Sequence, residues 1–322
     1  DALPISYAGI YIVAESWLNE RVTNEHRGGL LSIYMIISFA GMGGGQLLLN
    51  LAEPAAHDLF ILVSVTVSLA AVPILLTVTQ QPEHGGLVRL GPWELLRITR
   101  LGTVGCAAVG VAQGAVFAMG PVYARDIGLS VAQVSVAMAA LIAGGALAQW
   151  PAGKLSDRLD RRHVIVAMAF AGALGCVLAL LVQRVSFPAL LAALGLLGAA
   201  SLTLYSLLNA HANDRLQQEH RVAASSGLIL FFGVGAVIGP PASGWLMAQA
   251  GPSAFLAFTA AVMVAIGLFA MYRRLHGPAL AIAEQTPFVP VAARTPELTA
   301  AMAEFPPAPD ADREDGQTSQ SE

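Results

Sequence analysis

Eight stretches of this chain contain no Asp, Glu, Lys or Arg: residues 2–14, 28–52, 59–82, 101–124, 127–153, 164–183, 185–213 and 222–272. The hydrocarbon core of a bilayer takes about 20 apolar residues in helix. All but the first stretch are long enough. The last is long enough for two helices, parted by the turn dipeptide Gly251-Pro252. Nine spans are predicted, at about 3–18, 28–51, 59–78, 101–123, 131–152, 163–182, 187–210, 223–248 and 253–272. Lipid supplies no partner for a bare peptide group, so a packed bundle of helices is the arrangement that satisfies this much backbone. The expected fold class is an all-α integral membrane protein. Composition supports it, because charged residues are 12% and apolar residues 56% of the 322-residue chain, against about 25% charged in an average soluble domain. An ordinary cytosolic enzyme is excluded, and a net charge of −4 gives no reason to expect nucleic acid as a partner.

Basic residues in the loops orient the bundle, since Lys and Arg are retained on the cytoplasmic side. Arg21, Arg27, Arg89, Arg97, Arg100, Lys154, Arg158, Arg161, Arg162, Arg215, Arg221, Arg273 and Arg274 fall on one side, and Arg125 and Arg184 on the other. The first set is predicted to be cytoplasmic, and the C-terminus with it. Cys106 and Cys176 sit among apolar residues with no companion at metal or redox spacing, so both are expected to be core packing. No phosphate-binding loop, catalytic triad, haem motif or metal-ligand spacing occurs, which argues against an enzyme and against any cofactor.

An internal repeat organises the chain. The loop Asn19-Glu20-Arg21-Val22-Thr23-Asn24-Glu25-His26-Arg27 matches Asn213-Asp214-Arg215-Leu216-Gln217-Gln218-Glu219-His220-Arg221 at a constant offset of 194 residues. The register continues outward: Tyr11 pairs with Tyr205, and Gly41 and Gly45 pair with Gly235 and Gly239. Both loops are predicted on one side with an even number of spans between them, so the halves are parallel repeats of six helices, as in one class of secondary transporter. The second copy has four spans before its loop and the first only one. The chain is therefore expected to hold helices four to twelve of a twelve-helix protein. Residues 1–78 would close the first half, 79–100 form a cytoplasmic central loop, 101–272 the second half and 273–322 a disordered cytoplasmic tail. Within the central loop, Leu90-Gly91-Pro92-Trp93-Glu94-Leu95-Leu96-Arg97 is predicted to be an interfacial turn of helix with Trp93 at headgroup depth.

The loop Gly153-Lys154-Leu155-Ser156-Asp157-Arg158-Leu159-Asp160-Arg161-Arg162 resembles the cytoplasmic signature of the major facilitator superfamily, Gly-x-x-x-Asp-(Arg/Lys)-x-Gly-(Arg/Lys)-(Arg/Lys), with Asp160 in place of the second glycine. Gly235-Ala236-Val237-Ile238-Gly239-Pro240 is similar to that superfamily's Gly-x-x-x-Gly-Pro helix-packing motif. The strings Glu15-Ser16-Trp17-Leu18-Asn19, Asn24-Glu25-His26-Arg27 and Leu31-Ser32-Ile33-Tyr34-Met35 look further like its YcaD-like group of bacterial transporters, and the resemblance covers residues 5–275. It implies a multi-pass protein of the bacterial inner membrane. Asp157 is a carboxylate placed to meet helix N–H groups or arginine, and the family's pseudo-symmetry would set it as a gate contact against the helix opening at Arg27-Gly28-Gly29. For Arg158, Arg161 and Arg162, a cluster that simply holds the loop in the cytoplasm is explanation enough.

The resemblance also implies that the fourth, seventh and tenth helices line a central cavity. The fourth carries Tyr7, Tyr11 and Glu15, the seventh Gln113, Phe117 and Pro121, and the tenth Ser201, Tyr205 and Asn209. Steps of four residues keep each set on one face of its helix. At the repeat offset Tyr11 and Glu15 correspond to Tyr205 and Asn209. Each group could equally be interhelical glue, as is expected for Gln46, Gln149 and His211. Glu15 is the one carboxylate inside a predicted span, where acids are costly and mark function, although it could also snorkel to the surface about a turn away. The functional expectation is secondary transport of a small solute by alternating access, with protons as the coupling ion and the lipid bilayer as the other partner. The alternatives are a transporter-derived membrane sensor or scaffold, or a remnant without function.

Overall fold

The structure, a computed structural model, describes residues 24–53, 57–76, 90–216 and 220–277, together with Gln285, Phe288 and Pro290. Among these residues all regular structure is helical: α1 (Asn24–Leu48), α2 (Asp58–Leu76), α3 (Pro92–Ile98), α4 (Arg100–Asp126), α5 (Val131–Arg158), α6 (Arg161–Val182), α7 (Phe187–Asn213), α8 (Arg221–Ala250) and α9 (Ala254–His276). Each predicted span from 28–51 onward has its helix, and the span at 3–18 lies outside the described residues. Helices α4 to α9 are long and apolar enough to cross a membrane. The interfacial turn expected around Trp93 is α3, with Leu95 turned into the core at 1% exposure and Trp93 outward at 77%.

Local chemistry sets the helix ends. Ser130 and Gln133 form a reciprocal capping box at the start of α5, and Ser186 caps α7 by accepting from the Ala189 N–H. At the predicted break between α8 and α9, Gly251 adopts φ +84°, a conformation that lets the chain reverse and that only glycine takes without strain. Pro252 follows it, where the helix could not have continued.

Small residues decide the packing. Helix α7 is the hub, flanked by α4, α5 and α6, while α8 and α9 close around α4, and α6 also meets α9. Over 201–212 every residue of α7 is buried. The α4–α8 pair meets backbone to backbone. A Cβ on Gly235 would fall on the Ala107 carbonyl oxygen and one on Gly239 on that of Val111, while one on Gly110 would strike the Phe232 carbonyl. Such close approach is the usual means by which helices associate in lipid, where apolar burial gives no drive. The outer surface is apolar in turn: Leu147, Trp150, Val237 and Trp245 are 78%, 73%, 75% and 64% exposed, as a lipid-facing surface should be.

One expectation needs correction here. The signature is not a loop, because α5 runs through 153–158 and α6 begins at Arg161, leaving only Leu159 and Asp160 between them. Asp160 also explains why no second glycine is needed. Its φ of −55° and ψ of 116° suit any residue, and its side chain accepts the Arg162 N–H as the N-cap of α6.

Candidate functional site

The end of the bundle that gathers most of the arginines carries a connected set of ion pairs. Arg161 opens α6 and is 1% exposed. Its Nη1 donates to Asp214 Oδ2 at 2.6 Å, and its Nη2 faces Asp157 Oδ1 at 3.4 Å one helical turn back. Asp214 follows directly on α7 and its side chain is 3% exposed, so this pair ties the α5–α6 elbow to the hub helix. Arg162, 3% exposed, grips both Asp160 oxygens and donates from Nη1 to the Gly277 carbonyl at 3.2 Å, past the end of α9. Burial alone would raise the Asp160 carboxyl, but hydrogen bonds from the Arg162 side chain and N–H outweigh it and hold the group below the usual carboxylate range. Arg161 and Arg162 are thus buried, ion-paired cations, which a cluster that holds this end in the cytoplasm does not by itself require. A buried guanidinium is tolerable when it is paired, and these two have their carboxylates in place. Arg158 points to solvent.

Asp157 has a different partner on its other side. Its Oδ1 accepts the backbone N–H of Phe288 at 2.8 Å, and the Phe288 ring sits where a Cβ on Gly153 would be. The absence of a side chain at Gly153 makes the seat for that ring. The expected counterpart of Asp157 at Arg27-Gly28-Gly29 has its backbone in α1, but the Arg27 side chain lies outside the described residues. Phe288 and Pro290 also stand at one side of an apolar groove of about 980 Å³ between α1 and α5, lined by Met35, Phe39, Ile142, Gln149, Trp150 and Lys154 among others.

The cavity candidates divide into three groups. Tyr7, Tyr11 and Glu15 lie outside the described residues. Gln113 of α4 and Ser201 of α7 are brought together, with Gln113 Nε2 donating to the Ser201 carbonyl at 2.7 Å. Tyr205 is fully buried and meets the Phe232 ring edge-on at 5.2 Å. Asn209 is 1% exposed and accepts from Asn213 Nδ2 at 3.2 Å. Phe117 is half-buried against the core. The hydroxyls of Ser201 and Thr203 are buried without a hydrogen-bond partner, which costs about 1–3 kcal/mol each in a dry interior. Gln149 reaches the Leu202 carbonyl at 3.4 Å, an interhelical bond as expected.

The packing glycines also divide. Gly235 and Gly239 are at the α4–α8 contact, with Pro240 next to them inside α8, whereas Gly41 and Gly45 have no heavy atom within 4 Å of a Cβ position. Sequence reasoning missed Asp214 as the mate of Arg161. Its signal was present in the repeat, because an acid follows Asn in both copies, as Glu20 and Asp214. It also missed a polar network at the opposite end, where the Tyr123 hydroxyl donates to Gln183 Oε1 at 2.9 Å and Gln183 Nε2 to Ser253 at 3.1 Å. Three residues on three loops or helix ends, far apart in sequence, leave no periodic trace.

Comparison with known proteins places this geometry. A family model described as Major Facilitator Superfamily matches residues 101–305, which take in α4 to α9. The chain is 34% identical over 245 residues to the uncharacterized MFS-type transporter Ent638_1421 of Enterobacter sp. (strain 638). It is 33% identical over 245 residues to the MFS-type transporter YcaD of Shigella flexneri, and 34% identical over 247 residues to that of Salmonella arizonae. Each match takes in 76% of this chain, which spans 63% of the relative's length. With six apolar helices long enough to cross a membrane and a family match over most of the described chain, the protein belongs to the Major Facilitator Superfamily.

Proposed function

We propose that the protein is a secondary transporter that carries a small solute across a bacterial inner membrane by alternating access. The observation that carries this reading is the buried polar row where α4 meets α7. Gln113, Ser201, Tyr205 and Asn209 lie there in mid-bundle, and the two hydroxyls of Ser201 and Thr203 lack partners. A polar solute, or water travelling with it, would offset that cost. The arginine-rich end is cytoplasmic by the positive-inside rule, and Asp157 there is the gate contact.

Proteoliposomes holding the full chain and challenged with labelled amphipathic cations and small polar metabolites are expected to exchange one of them by counterflow. Asp157→Asn should slow that exchange about tenfold, the worth of one charge-assisted hydrogen bond, with membrane abundance unchanged. Equal loss of abundance and exchange would assign Asp157 to folding. Solute binding without exchange throughout would sink the transport reading and favour a sensor. Proton coupling is assigned to Glu15, and a flux that still responds to an imposed pH gradient in Glu15→Gln would remove that residue from the coupling step.

A further inference from the structure

A second feature of the arginine-rich end takes no part in the gate. Arg100 at the start of α4, Arg162 in α6, Arg215 after α7 and Arg273 in α9 line one narrow cleft together with His211 and Thr99. Among the described residues no carboxylate lines it, and Asp160 and Asp214 are held by Arg162 and Arg161. The concentration of positive charge is felt inside the cleft: after burial, the neighbouring Arg162 and Arg273 charges are what push the Arg215 guanidinium below its ordinary pKa. Thr99 is 1% exposed, and its hydroxyl has no hydrogen-bond partner. It also caps α4 without using its side chain, so the positive end of a 27-residue helix adds to the same field. The interior is about 10 Å³, the room that one buried oxygen needs. Beside it, α3 lays Trp93 and Ile98 outward at 77% and 38% exposure, as an interfacial helix does at headgroup depth.

We propose that this cleft binds a phosphate group, with one oxygen entering between Arg215 and Thr99 and the remainder held by Arg100 and Arg273, while Arg162, whose donors are taken by Asp160 and the Arg273 and Gly277 carbonyls, forms the wall behind them. Planar guanidiniums with parallel donors suit phosphate oxygens, and basic pockets between transmembrane helices are where phospholipid headgroups are held. The exposed Trp93 favours a lipid as the source, with the acyl chains following the apolar flank of α3. A soluble phosphate would satisfy the same three arginines, Arg100, Arg215 and Arg273. The site is independent of the solute carried and of Asp157.

The test uses the full chain in detergent, observed by native mass spectrometry with phosphatidylglycerol, phosphatidylcholine or inorganic phosphate added. Wild-type protein should retain phosphatidylglycerol over phosphatidylcholine. The variant Arg100→Gln/Arg273→Gln should lose about fivefold in retention per arginine removed, while Arg125→Gln/Arg184→Gln at the opposite end stays as wild type. Neither Arg100 nor Arg273 holds an ion pair among the described residues, so the variant should keep its melting temperature. If inorganic phosphate binds instead, and is lost in the same variant, the phosphate site stands with a soluble source. Equal retention of the two lipids with no phosphate binding, or undiminished retention in the variant, overturns the proposal.

Discussion

Asp214→Ala is expected to lower stability by about 3–5 kcal/mol, because it strands a guanidinium that the fold has sealed from water. Arg161 is 1% exposed and its 2.6 Å bond to Asp214 is the shorter of its two carboxylate contacts. Asp157, at 3.4 Å with a 41% exposed side chain, cannot take over. In practice little folded protein should reach the membrane, and what does should melt well below wild type in detergent. The double variant Arg161→Met/Asp214→Leu should recover most of the loss, since removing both charges removes the desolvation cost as well. A melting temperature unchanged in Asp214→Ala would mean that the pair contributes nothing to the bundle. A double variant as unstable as the single one would mean that Arg161 matters for contacts other than this pair.

The sequence made one kind of structure easy to see and another hard. Spans were legible because burial in lipid forbids charge over about 20 residues at a time, and α2 through Leu76 and α4 through α9 follow from that alone. The turn at Gly251 and Pro252 was legible because it breaks the longest apolar run. The end of α5 was misplaced because Lys154, Asp157 and Arg158 look like a loop by charge, although long side chains at a helix end can reach the surface while the backbone stays helical. The burial of Arg161 was illegible for a related reason. Composition says where an arginine is allowed, whereas its burial depends on a carboxylate 53 residues away, Asp214. In the cavity stripes, period-four spacing put Ser201, Tyr205 and Asn209 on one face, but it could not say that Gln113 would bond the backbone at Ser201.

Gly235→Ala and Gly41→Ala should move stability in opposite directions, although the repeat makes them equivalent positions. In an exposed helix, alanine is favoured over glycine by up to about 1 kcal/mol, and among the described residues nothing lies within 4 Å of the Gly41 position to obstruct a methyl group. At Gly235 the same methyl group would fall on the Ala107 carbonyl oxygen, with the Val111 nitrogen 2.8 Å away. Neither is the tip of a flexible side chain, so α8 must move off α4 along much of its length. The expected loss is at or above the upper end of overpacking costs, about 3 kcal/mol. Thermal unfolding of the two variants side by side measures it. A destabilised Gly41→Ala with a neutral Gly235→Ala would invert the assignment of which copy of the motif packs.

The α1–α5 contact is built quite differently from that of α4 and α8. Asn50, just past α1, donates to the Ser135 hydroxyl at 2.7 Å, whereas toward the arginine-rich end the two helices border the 980 Å³ groove that reaches Gly153 and Asp157. Where α4 and α8 interlock through their backbones, α1 and α5 are joined by this bond and by side chains such as Met35, Phe39 and Ile142 along the groove, with Phe288 and Pro290 at its Asp157 end.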